Sequence, residues 1–155
     1  MISEARLFKK KNAEPVFDGV LVLLMTPKKK FRGHTIITSD QETAKRWNTV
    51  RWKKLNPVTP AEEIKTGSFL VFSDTPEEAV QLADDDLMEL LHRLSNLFDR
   101  SKVSVVFYGG NKVLLCIPFD GDLFEPGDIY MPVTSRQDIL RSKKEVEQIL
   151  KFLIN

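Results

Sequence analysis

Apolar and polar residues alternate in twos through most of the chain and recur at helical spacing in only a few places, so the pattern predicts strands first. Residues 2–8 (ISEARLF) alternate and end at the turn Lys9, Lys10, Lys11. Residues 15–26 (PVFDGVLVLLMT) make a longer strand with Gly19 inside it, where a bulge or a close backbone approach suits a residue without a side chain. Residues 34–39 (HTIITS) make a third strand. No connection among these three is long enough for a helical crossover, so an antiparallel meander is expected.

The middle of the chain is more mixed. Residues 40–48 (DQETAKRWN) read as a short helix capped by Asp40, residues 50–55 (VRWKKL) as a lysine-guarded edge strand, and residues 56–67, with two prolines and a glycine, as a surface loop. Residues 68–73 (SFLVFS) return to a strand. Thr75, Pro76 and Glu78 then carry the signature of a capping box that opens a helix ending near Leu82. Asp84, Asp85 and Asp86 start a second helix, whose Leu87, Leu90, Leu91, Leu94, Leu97 and Phe98 line one side.

The organising stretch is 102–126. Val103, Val105 and Phe107 alternate with Ser104, Val106 and Tyr108. Gly109, Gly110 and Asn111 permit a tight reversal, and residues 112–117 run back as an apolar strand stopped by Pro118. A buried β-hairpin follows from this. Residues 119–132 are a loop, and residues 135–153 a closing amphipathic helix. The class is α+β: one domain, 1–155, with a mostly antiparallel sheet and two main amphipathic helices, 84–98 and 135–153, on one face.

Composition narrows the field. A single cysteine, Cys116, excludes an intrachain disulfide, and its apolar neighbours make it a small core residue. No apolar run approaches the ~20 residues of a spanning helix. The net charge of +1 conceals a first third, 1–54, at +8 and a middle, 55–128, at −9. The chain starts directly in strand-like sequence without a leader, as expected of a piece of a longer chain.

Candidate chemistry is sparse. Consecutive carboxylates at 84–86 diverge by about 100° on a helix, so helix-start electrostatics explains them better than a metal. Asp120, Asp122, Glu125 and Asp128 form a second acidic stretch, suited to acid–base work or a hard cation but equally to a solvated loop. His34 and His92 accompany no nucleophile, metal or phosphate-loop motif. Neither a metal nor a cofactor is expected, and the residues point away from an enzyme. The strongest ligand candidates are basic: Lys28, Lys29, Lys30, Arg32, Arg51, Lys53 and Lys54 suit a polyanion, nucleic acid or an anionic lipid surface, with Trp47 or Trp52 available for stacking. Lysine-rich turns kept for solubility are the plainer explanation.

Several segments together resemble a known family. They are Val16-Phe17-Asp18-Gly19-Val20, Phe31-Arg32-Gly33-His34-Thr35, Phe69-Leu70-Val71-Phe72-Ser73-Asp74, Asp86-Leu87-Met88-Glu89-Leu90-Leu91 and Ile117-Pro118-Phe119-Asp120-Gly121-Asp122-Leu123-Phe124-Glu125-Pro126. In this order they are similar to the C-terminal domain of the uncharacterised bacterial family known as domain of unknown function 3137. Where that family carries alanine-arginine-tyrosine before its long helix, this chain has Ala79-Val80-Gln81. The resemblance implies the soluble part of a protein anchored by N-terminal spanning helices, on the cytoplasmic side of the bacterial inner membrane. It implies no activity and no catalytic residues. The expected role is a non-enzymatic interaction or scaffolding domain with an unidentified protein partner. A polyanion binder and a hydrolase or metal-dependent enzyme built on the 120–128 acids are the alternatives.

Overall fold

A computed structural model describes residues 1–8, 15–42, 55–59, 67–98 and 101–119. In chain order these hold β1 (Ile2–Phe8), β2 (Pro15–Met25), β3 (Thr35–Thr38), β4 (Asn56–Val58), β5 (Leu70–Ser73), α1 (Pro76–Leu82), α2 (Asp85–Leu97), β6 (Ser104–Tyr108) and β7 (Lys112–Pro118). The strands form one sheet in the order β1-β2-β7-β6-β3-β5-β4, and every pairing is antiparallel. The α+β reading holds, with the glycine-turned hairpin at the centre of the sheet.

The meander does not form as expected. β1 and β2 pair, but the β6–β7 hairpin lies between β2 and β3. Two facts explain the insertion. Seven residues of β2, from Gly19 to Met25, find partners on β7, whereas β3 offers only four residues and spends them on β6 and β5. The β2–β3 connection also needs to cross only three strand spacings of about 4.8 Å each, well within the reach of its residues. It crosses over the hairpin tip and pairs with it. Thr26 N–H donates to the Asn111 carbonyl at 2.8 Å, and Phe31 and Gly110 exchange backbone hydrogen bonds of 2.5 and 2.8 Å.

Alternation along the strands sorts side chains between two faces. Val20, Val22, Ile37, Val71, Val105, Phe107, Val113, Leu115 and Ile117 face the helices and are buried with Ala79, Ala83, Leu87, Met88, Leu91 and Leu94. Removing a large side chain from such a core, Leu91 for instance, costs about 2–5 kcal/mol through lost transfer energy and the cavity left behind. Ile36, Phe72 and Val106 point the other way and form a smaller buried cluster with Leu55. Hydroxyl pairs brace β3 on both faces: Thr35 with Ser73 at 3.0 Å, and Thr38 with Ser104 at 2.7 Å.

Local signals fared unevenly. Gly19 has φ +150°, and a Cβ there would lie 2.2 Å from the Ile117 carbonyl oxygen, so it serves a close approach between β2 and the end of β7. Asp84 caps α2 by accepting from Leu87 N–H at 2.8 Å, with Asp85 and Asp86 in the first turn. The capping box at α1 is a correction: the Thr75 side chain makes no cap bond to the backbone, and Glu78 turns to another segment instead. The 56–67 loop is corrected too, because 56–58 pair with β5 as β4. Pro57 is tolerated there because β4 is an edge strand, where a missing donor is harmless. Residues 41–42 are helical and Asp40 Oδ1 accepts Glu42 N–H at 3.1 Å; residues 43–48, most of the 50–55 edge strand and the 135–153 helix lie outside the described residues. Among the described residues no helix is long and apolar enough to cross a membrane.

Candidate functional site

Polar chemistry gathers where the β2–β3 connection meets the end of β5 and the start of α1. Glu78 reaches back from α1 and accepts two backbone donors: Arg32 N–H, shared between Oε1 at 3.0 Å and Oε2 at 3.1 Å, and Gly33 N–H, at 3.0 Å from Oε2. Thr75 Oγ1 donates to the same carboxylate at 3.3 Å. Asp74 holds the next residue: its Oδ1 accepts His34 N–H at 2.6 Å while its Oδ2 lies 3.3 Å from His34 Nδ1. In return Asp74 N–H donates to the His34 carbonyl at 3.2 Å, and Ser73 Oγ donates to that carbonyl at 3.0 Å. A carboxylate accepting backbone N–H groups makes a charge-assisted bond, stronger than a neutral one.

Sequence explains why this corner closes. β5 ends in Ser73-Asp74-Thr75, short polar side chains that bond backbone nearby. Thr75 N–H, for example, donates to Ser73 Oγ at 2.9 Å. Gly33 is required because a Cβ would lie 2.0 Å from Thr75 Oγ1 and 2.3 Å from Asp74 Oδ1. The hairpin turn passes beside His34, whose ring meets Tyr108 edge-on at 6.0 Å.

His34 and Asp74 have the composition of an oriented imidazole, the base half of a catalytic triad. The geometry assigns them another task. The Asp74 carboxylate spans the backbone and the ring of the same residue, and the Ser73 hydroxyl that would be the nucleophile is directed at a carbonyl. Among the described residues, every buried side-chain nitrogen and oxygen has a hydrogen-bond partner. The corner is a latch.

Of the basic candidates, Lys28, Lys29, Lys30 and Arg32 stand exposed on the latched connection, and Arg51, Lys53 and Lys54 lie outside the described residues. Arg32 Nε is 3.9 Å from Glu78 Oε1. Lys28, Lys29 and Lys30 make no ion pair with any described residue. Lys112, whose place as the first residue of β7 gives no sign of a site in the sequence, adds to them: it is exposed at the hairpin tip, opposite Met25 of β2. The signal that would have found it is the pairing of the turn with the connection, a contact between residues some eighty positions apart.

The remaining candidates are separate. Cys116 is half-buried on β7, on the face away from the helices, and burial pushes its thiol up to about 11. Burial, and then the nearby Cys116 charge, raises the Tyr108 phenol. His92 packs edge-on against Phe69 at 5.0 Å and covers Gly67, at φ +60°. Asp120, Asp122, Glu125 and Asp128 lie outside the described residues.

Against known families, the model described as "Protein of unknown function (DUF3137)" matches residues 15–154. The chain belongs to this family. No curated protein and no solved structure matches it. Within this DUF3137 domain, the match covers the latch, the basic connection and the central hairpin together.

Proposed function

We propose that this domain is a non-enzymatic interaction module of a membrane-associated bacterial protein, working on the cytoplasmic side, and that its contact surface is the basic end of its sheet. One observation carries the reading. Lys28, Lys29 and Lys30 are exposed and without acidic partners among the described residues, yet they sit on a connection whose two ends are hydrogen-bonded to the hairpin, to Asp74 and to Glu78. Charges fixed in place but not neutralised suit recognition of an anionic partner, since the backbone is ordered before the partner arrives. The two acids that hold the far end of the connection, Asp74 and Glu78, are occupied by the chain's own backbone. The acids at 120–128, on which an enzyme reading would rest, lie outside the described residues.

The test is retention on an immobilised polyanion such as heparin. The chain should bind at low salt and elute with a steep salt dependence, while Lys28→Glu, Lys29→Glu and Lys30→Glu together should pass straight through. Co-elution of parent and variant would refute the assignment.

A further inference from the structure

Resting on that reading, we infer that the basic end of the sheet docks on an anionic lipid bilayer, with Met25 entering the headgroup layer between the lysines. Met25 closes β2 with 60% of its surface exposed, among the most exposed large apolar side chains described. It stands directly opposite Lys112, and the chain leads from it through Thr26 and Pro27 into Lys28, Lys29 and Lys30. Thr26, buried, clamps this passage: its hydroxyl donates to the Lys29 carbonyl at 2.8 Å and lies 3.3 Å from the Asn111 carbonyl. The lysine backbone is therefore held at the hairpin tip beside the methionine. Gly109 and Gly110 at that tip are exposed and add no side chains to it.

The combination discriminates between polyanions. Phosphates of a nucleic acid reward the lysines alone, because exposed methionine has no partner along a phosphate backbone. A bilayer rewards both: lysines near an anionic leaflet gain about fivefold each in affinity, and an unbranched apolar side chain gains by leaving water. Glu77 is the exposed acid nearest in the chain to the latch, and the basic groups of the connection and hairpin tip outnumber it.

The experiment compares co-sedimentation of the chain with vesicles of phosphatidylserine and phosphatidylcholine in equal parts, with vesicles of phosphatidylcholine alone, and its binding to a DNA duplex oligonucleotide. Binding to the anionic vesicles and not to phosphatidylcholine alone is expected, weakened by salt. The reversal of Lys28, Lys29 and Lys30 to glutamate should lower it by more than a hundredfold, since losing three lysines at about fivefold each already removes about that much and the new carboxylates repel the leaflet. Met25→Ser should lower vesicle binding by about fivefold while leaving any duplex binding unchanged. Both variants alter exposed side chains, and matching thermal melts would establish that they fold. Duplex binding without vesicle binding overturns the lipid assignment and leaves the basic contact surface standing. Equal vesicle binding by Met25→Ser and the parent also overturns it. Failure to bind either polyanion overturns both readings.

Discussion

The β2–β3 connection has two kinds of residue in one short stretch. From Phe31 to His34 its backbone is committed: Phe31 to Gly110, Arg32 and Gly33 to Glu78, His34 to Asp74. From Lys28 to Lys30 the side chains face water and meet no acid among the described residues. The two parts solve opposite problems. A loop crossing two strands would leave backbone donors unsatisfied where it is buried, and the two carboxylates supply the missing acceptors. Lysine side chains that were paired in the same way would have no field left to project. Separating the roles gives a loop with a fixed path and uncommitted charge.

If the latch is structural and the lysines are not, substitutions should fall into distinct classes. Gly33→Ala should cost the most stability, about 2–3 kcal/mol by chemical denaturation, because its Cβ would overlap Thr75 and Asp74, short side chains held by their own hydrogen bonds. A loss below about 0.5 kcal/mol would mean that the corner is loosely packed. Glu78→Ala should cost about 2 kcal/mol by leaving Gly33 N–H, which is buried, without its acceptor. Glu78→Gln keeps one oxygen and should lose less. Lys28→Ala, Lys29→Ala and Lys30→Ala should each stay within about 0.5 kcal/mol of the parent, while lowering polyanion affinity. Comparable losses at Lys29 and Glu78 would dissolve the distinction.

Cys116 reports whether the central hairpin remains folded in these variants. Its thiol is pushed up to about 11 from 9.0 by burial, so near pH 8 the native thiolate is roughly a hundredfold scarcer than in the unfolded chain, and alkylation should slow accordingly. The sign for stability follows from proton binding. Between the two values the folded state retains a proton that the unfolded state has released, so Cys116 favours folding below about pH 9 and that contribution declines as pH rises toward 11. Fast alkylation of the parent at pH 8 would mean that β7 is open.

What could be read in the sequence was what neighbours decide. Alternation and a glycine turn sufficed for β6 and β7, an aspartate before a leucine stripe sufficed for α2, and a glycine inside β2 marked the close approach at Ile117. The sheet order was not legible, because insertion of the hairpin depends on which strand β2 meets and not on any local pattern. β4 was hidden by its length and by Pro57. Glu78 looked like half of a capping box because its spacing from Thr75 fits one, but the stronger claim came from backbone donors 45 and 46 residues away. Of the basic site, Lys28, Lys29, Lys30 and Arg32 were legible as charge, whereas the latch that fixes their path and the contribution of Lys112 required the tertiary pairing.

Amide hydrogen exchange at Arg32, Gly33 and His34 tests the central claim most directly. The account predicts strand-like protection at these three loop amides, lost at Arg32 and Gly33 in Glu78→Ala and at His34 in Asp74→Ala, while β6 and β7 stay protected. Rapid exchange at all three in the parent chain would contradict it, because the lysines would then ride on an untethered loop.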